Sequence, residues 1–174
     1  MISSIRPHLP AMNLATRKSP DPHAHRHDAH AFVRDVAKVC AERGLRLTAI
    51  RQRVLELVAE ATIPVKAYDL LDRLKDGPGL AAPPTVYRAL DFLLEHGFIH
   101  KLESINSFVG CHHPGEAHQV PFLICGHCAS AIEICDERVA TLLTSQARER
   151  GFTPASQILE VHGICASCAK QPAT

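Results

Sequence analysis

Pro83-Pro84-Thr85-Val86-Tyr87-Arg88-Ala89-Leu90-Asp91-Phe92-Leu93-Leu94-Glu95-His96-Gly97 leads directly into Phe98-Ile99-His100-Lys101-Leu102-Glu103 and, after Ser104-Ile105-Asn106, into Ser107-Phe108-Val109-Gly110-Cys111. In the first run Val86, Leu90, Phe92, Leu93 and Leu94 define a helix with one apolar face. The paired prolines suit its first turn, where a missing N–H has no partner to lose. Gly97 ends it, and the pattern then shifts to two short strand-like runs separated by three residues, a β-hairpin. A helix feeding a two-stranded ribbon is how a winged helix reads in one dimension, and that helix is then the recognition helix.

The residues upstream complete such a domain. Phe32, Val33, Val36, Val39 and Cys40 recur at helical spacing up to Gly44, a candidate left-handed cap. Cys40 lies on this apolar face and reads as a small buried hydrophobe. Thr48 is a candidate N-cap for a second helix with Ile50, Val54, Leu55 and Val58, ending before Pro64. A third, Tyr68 to Lys75, presents Leu70, Leu71 and Leu74 and stops at Gly77-Pro78-Gly79.

Downstream, residues 110–119 form a connector, and the chain restarts as a second domain over residues 120–170. Val120 to Cys125 and Ala131 to Cys135 are strand-like, Glu137 to Arg150 is an amphipathic helix ending at Gly151, and Gln157 to His162 alternates as a strand. Cys125-Gly-His-Cys128 and Cys165-Ala-Ser-Cys168 are two identical pairs. A two-residue gap lets both thiolates of a pair reach one ion from a single turn, and two such turns complete the four-sulfur shell of a structural zinc. Disulfides are disfavoured by an odd count of 7 cysteines and by the lack of an apolar signal-peptide core in residues 1–30. The expected fold class is therefore α+β: a winged helix over residues 31–109, then a small α+β domain holding a four-cysteine structural zinc.

Residues 1–30, with His23, His25, His27 and His30 clustered near their end, read as a disordered His-rich arm. No apolar run is long enough to span a bilayer, so no membrane association is expected, and the reducing cytoplasm is the expected compartment. The net charge of +1 hides an asymmetry. Arg34, Lys38, Arg43, Arg46, Arg51 and Arg53 crowd the front of the chain, whereas Glu116, Glu133, Asp136, Glu137, Glu149 and Glu160 make the back mildly acidic. A basic front suits a polyanion.

Pro83 to Leu90, Gly97-Phe98-Ile99-His100-Lys101 and the paired CxxC motifs together resemble the ferric uptake regulator family, and within it the zinc uptake regulators. The resemblance covers about residues 31 to 170. It implies a homodimer built on the second domain, binding double-stranded operator DNA and repressing zinc uptake genes when loaded with metal. It also implies two zinc ions per subunit. Cys125, Cys128, Cys165 and Cys168 match the structural site, and His100, Cys111, His118 and Glu133 match the regulatory one. The stretch from Cys111 to His118 is one residue shorter than is common in the family and contains His112 and His113, either of which is an alternative to His118. Cys111 supplies the soft sulfur that favours zinc over harder cations. Cys135 stands by as a spare thiol.

Tyr87 and Arg88 fall early in the recognition helix, where base edges are read, and the resemblance places both at the bases. Arg46, Arg51 and Arg53 are candidates for phosphate contacts. An iron- or peroxide-responsive regulator is the alternative within the same architecture. A zinc enzyme is disfavoured, since the deaminase signature would need HxE and a proline directly before CxxC, and neither is present. No catalytic residue and no small-molecule substrate other than metal is expected, and a metal carrier using the winged helix as scaffold is the remaining class.

Overall fold

The computed structural model describes residues 28–75, 82–115 and 120–170 of the 174-residue chain. Nearly all of the His-rich arm, the Gly77-Pro78-Gly79 turn and His118 lie outside the described residues.

The chain opens with α1 (Ala29–Glu42), whose first turn is capped by Asp28 accepting from the His30 N–H at 3.1 Å. Phe32, Val36 and Cys40 form its buried stripe, and Gly44, at φ +65°, turns the chain away. Next come α2 (Ala49–Glu60), α3 (Ala67–Lys75) and α4 (Pro83–Glu95). Thr48 precedes α2 as expected, although its hydroxyl makes no capping hydrogen bond. α4 buries Val86, Ala89, Leu90, Phe92 and Leu93 against α2 and α3. Each leucine so buried contributes about 1.5–3 kcal/mol, and all of these residues share one core with Phe98 and Ile99.

The wing is β1 (Ile99–Leu102) paired antiparallel with β2 (Ser107–Gly110). Of the three residues expected to link them, Ser104 and Ile105 belong to a 3-10 turn, Glu103–Ile105, and Asn106 takes the left-handed conformation at φ +47°. Val65 adds a two-bond bridge to Phe108, anchoring the wing to the helices.

The second half contains β3 (Phe122–Cys125), β4 (Ala131–Glu133), α5 (Glu137–Glu149), β5 (Glu160–Gly163) and a short α6 (Ala166–Ala169). The sheet order is β4-β3-β5, with β4 antiparallel and β5 parallel to β3. The strands are shorter than their apolar patterns, and α6 is not legible as a helix in the sequence because four residues carry no period. Phe122 and Ile124 point inward and cluster with Leu102 of the wing, while Leu123 between them is exposed. The second core therefore includes a residue from the end of β1.

Candidate metal centres and nucleic-acid interface

Because β3 and β5 run parallel with Cys125 opposite Gly163, their C-terminal ends open at the same edge of the sheet. Each strand is followed at once by a CxxC turn, which is why Cys125 and Cys165, 40 residues apart in sequence, meet. The first turn is closed by Ala129 N–H on the Cys125 carbonyl at 3.0 Å, with Ala129 at φ +57°. The second is the start of α6, where Cys165 Sγ accepts from the Cys168 N–H at 3.5 Å. One ligand atom from each of Cys125, Cys128, Cys165 and Cys168 lies within 4.8 Å of every other. Backbone N–H groups of Cys128, Cys165 and His127 pull the Cys125 thiol down to about 6. The hydrogen bonds of Ser130 lower that of Cys128. Four thiols gathered this closely, with hydrogen bonds that favour thiolate at Cys125 and Cys128, fit a four-sulfur zinc site.

A second cluster sits where the wing meets the sheet. His100 on β1, Cys111 just past β2 and Glu133 at the end of β4 bring their ligand atoms within 4.8 Å of one another. His100 Nε2 is 3.8 Å from Glu133 Oε2. The Glu133 side chain is only 1% exposed, and the His112 N–H donates to its Oε2 at 3.2 Å. The His100 ring meets Phe122 edge-on at 5.3 Å. A buried carboxylate gathered with an imidazole and a buried thiol is a donor set that zinc fits, since the cation would offset the cost of burying the charge. Neither His112 nor His113 belongs to this three-residue cluster. Cys135 Sγ lies 3.7 Å from Glu133 Oε1, and burial, followed by that carboxylate, pushes its thiol up.

The DNA candidates divide by environment. Tyr87 and Arg88 are exposed on α4 while Val86, Leu90 and Leu93 point inward, as the helical period requires. Arg46 is exposed. Arg53 is paired with Glu56 at 3.0 Å and Glu60 at 3.8 Å. Arg51 donates to the Arg46 carbonyl at 2.6 Å and lies 3.7 Å over the Phe92 ring, so its guanidinium braces α4 against the start of α2.

The ferric uptake regulator family model matches residues 42–162. The chain belongs to this family. The zinc uptake regulation protein of Escherichia coli strain K12 is 45% identical over 134 residues, 76% of this chain and 78% of that protein. Among solved structures, holo XcZur is 57% identical with a TM-score of 0.76, covering 81% of this chain and 99% of that one. A zinc uptake regulator complexed with zinc and DNA is 41% identical with a TM-score of 0.78, covering 83% and 97%.

In this family member the sequence reading misses three features. Tyr68, 73% exposed at the start of α3, reads in the sequence only as a helix boundary. Arg43 reaches the Gly115 carbonyl and pins the connector to α1. Glu160 and His162 touch Ser104 across the two halves. The helical period of α3 implies the outward face of Tyr68, whereas the contacts of Arg43 and Glu160 have no local signal.

Proposed function

We propose that the chain is a zinc-responsive transcriptional repressor that binds operator DNA as a dimer. The observation that carries this is the His100, Cys111, Glu133 cluster, which joins the wing to the sheet at the place where a ligand can bias one domain orientation over others. Cys125, Cys128, Cys165 and Cys168 would hold one zinc as a permanent staple, and His100, Cys111 and Glu133, with His118 as fourth partner, would hold the sensed one. The sensed ion would supply the positive charge that makes this buried mixture of imidazole, thiolate and carboxylate favourable. The residues do the rest: His100 carries the wing, Glu133 carries the sheet, and Cys111 marks the start of the connector between them.

The boundaries that suit this division are 31–109 for the DNA-binding half, 110–119 for the hinge and 120–170 for the dimerisation half. Arg88 and Tyr87 would meet base edges, and Arg46, Arg51 and Arg53 the backbone, with Arg51 also bracing α4. Apolar residues left exposed on α5 and the outer face of the sheet, among them Leu142, Leu143, Leu123 and Val161, support a second copy as partner. Two recognition helices one DNA turn apart, roughly 34 Å, then match a palindrome. No helix among the described residues is long and apolar enough to cross a membrane; the cytoplasm, where operator DNA lies, is the proposed site of action. We assign no catalytic residue.

The test is a binding titration on a duplex selected by the zinc-loaded protein from a random-sequence pool. Affinity should rise at least about fivefold with zinc, the lower end of ordinary coupling. Cys111→Ser should abolish that rise while the zinc of the four-cysteine site stays bound. An equal rise with ferrous iron or manganese, or none with zinc, would overturn the assignment.

A further inference from the structure

We propose that Glu160, acting with Ser104 and His162, is a positioning residue that fixes the rotation between the wing and the sheet, so that metal binding at the hinge places α4 in one orientation. The inference rests on the reading of His100, Cys111 and Glu133 as the sensed-metal site. What suggests it is a row of residues running across the sheet. Phe122 on β3 lies opposite Glu133 on β4 and opposite Glu160 on β5. All three side chains meet the wing. Glu133 lies with His100 and Cys111, and the Phe122 ring contacts His100. Glu160 takes the turn that links β1 to β2.

That last contact is a clamp rather than a single bond. The Glu160 carboxylate accepts from the Glu103 N–H at 2.6 Å, from the Ser104 N–H at 3.0 Å and from the Ser104 hydroxyl. His162 Nε2 is 2.8 Å from that same hydroxyl. Glu160 and His162 are two residues apart on one strand and so share its face, while Val161 between them points away and is exposed. Hydrogen bonds to an ionised carboxylate are about twice as strong as neutral ones, and here three donors from one turn converge on it.

Adjacent strands are about 4.8 Å apart, so Glu133 and Glu160, at opposite edges of the three-stranded sheet, hold the wing at points about 10 Å apart. One point of attachment leaves the wing free to pivot about it. Two points, with the Phe122 ring between them, leave rotation only about the line that joins them. The metal site then decides whether the halves are joined, and the clamp decides at what angle.

The experiment uses the full-length dimer with Glu160→Ala, Glu160→Gln and Ser104→Ala. Zinc content and the zinc affinity of the hinge should match the wild type, while the zinc-linked gain in operator affinity should fall at least about fivefold in Glu160→Ala. Distances between spin labels carried on a non-canonical amino acid at Asp91 of each α4 should broaden in the zinc-loaded variant. Glu160→Gln, which keeps a carbonyl acceptor, should fall between the two. An unchanged gain with an unchanged distance distribution overturns the proposal, as does loss of hinge zinc in parallel with Cys111→Ser. If Glu160→Ala fails to fold, Ser104→Ala and Glu160→Gln decide it, with a reduction of about twofold or more expected from each and no change overturning it. If the wild type itself shows no zinc-linked gain, the regulatory reading fails, and the spin-label distances still judge the clamp.

Discussion

Cys125 illustrates how far a single residue's chemistry is set by its neighbours. Its thiol falls from 9.0 to about 6 because N–H groups from both CxxC turns point at the sulfur. Cys168 is pushed the other way, to about 12, by its hydrogen bond to Cys165 and by burial. A lowered folded-state value means the thiolate stabilises the fold fully above the unfolded value of 9.0, less between, and not once the pH drops through about 6. In metal-stripped protein, thiolate ultraviolet absorbance should therefore disappear as pH falls through about 6, and Cys125→Ser should remove that step. At the DNA end, Arg88→Ala should cost about 1–3 kcal/mol of discrimination between operator and random duplex, read by competition binding. Arg51→Ala should lower operator affinity without changing discrimination and, in addition, lower stability by about 0.5–2 kcal/mol, the range for a guanidinium over an aromatic ring. Arg88's outward position is legible from its place in the helical period. Arg51's is not, because a basic residue near a helix start looks the same whether it faces phosphate or folds back on Phe92.

Among the elements, the connector after β2 shows most clearly how backbone geometry supports the site. Gly115 is buried at φ +91°, its N–H donates to the Gly97 carbonyl at 3.1 Å and its own carbonyl accepts from Arg43. A Cβ there would stand 2.8 Å from Val39 Cγ1 and 3.2 Å from Arg43 Nη2. Gly115→Ala should thus cost about 1–3 kcal/mol in stability, visible in the unfolding midpoint, since both the conformation and the space oppose it. The same variant should weaken hinge zinc while leaving the four-cysteine zinc intact, because Cys111 and His118 flank the glycine. Helices α1 to α4 and the wing are readable from period and punctuation. The pinning of this connector is not, since a glycine in a His-rich loop looks permissive until the helix behind it is in place.

For the whole molecule, the second half is incomplete as a monomer. α5 has no buried residue, and Leu142 and Phe152 are 61% and 66% exposed. Faces of this kind are seldom left to water in a stable single chain. Leu142→Asp should shift the protein toward monomer in sedimentation velocity and reduce operator affinity with it, because a palindrome needs two recognition helices held at one spacing. The four-cysteine site, local to one chain, should retain its zinc in that variant. The comparison separates dimer assembly from metal stapling, two properties that sequence resemblance delivers together.

What the amino-acid sequence determined by itself was whatever depends on neighbours along the chain: five helices and a hairpin from periodicity, and a four-thiol cluster from two equal spacings. The tertiary structure decided what depends on pairing between distant segments. The parallel register of β3 and β5 brings the two CxxC turns to one edge, and the row Glu133, Phe122, Glu160 faces the wing as a unit. Covalent geometry limits a turn or a helix to a few forms, whereas strand partners and their register are chosen by the summed burial of a whole core, a quantity no local stretch contains.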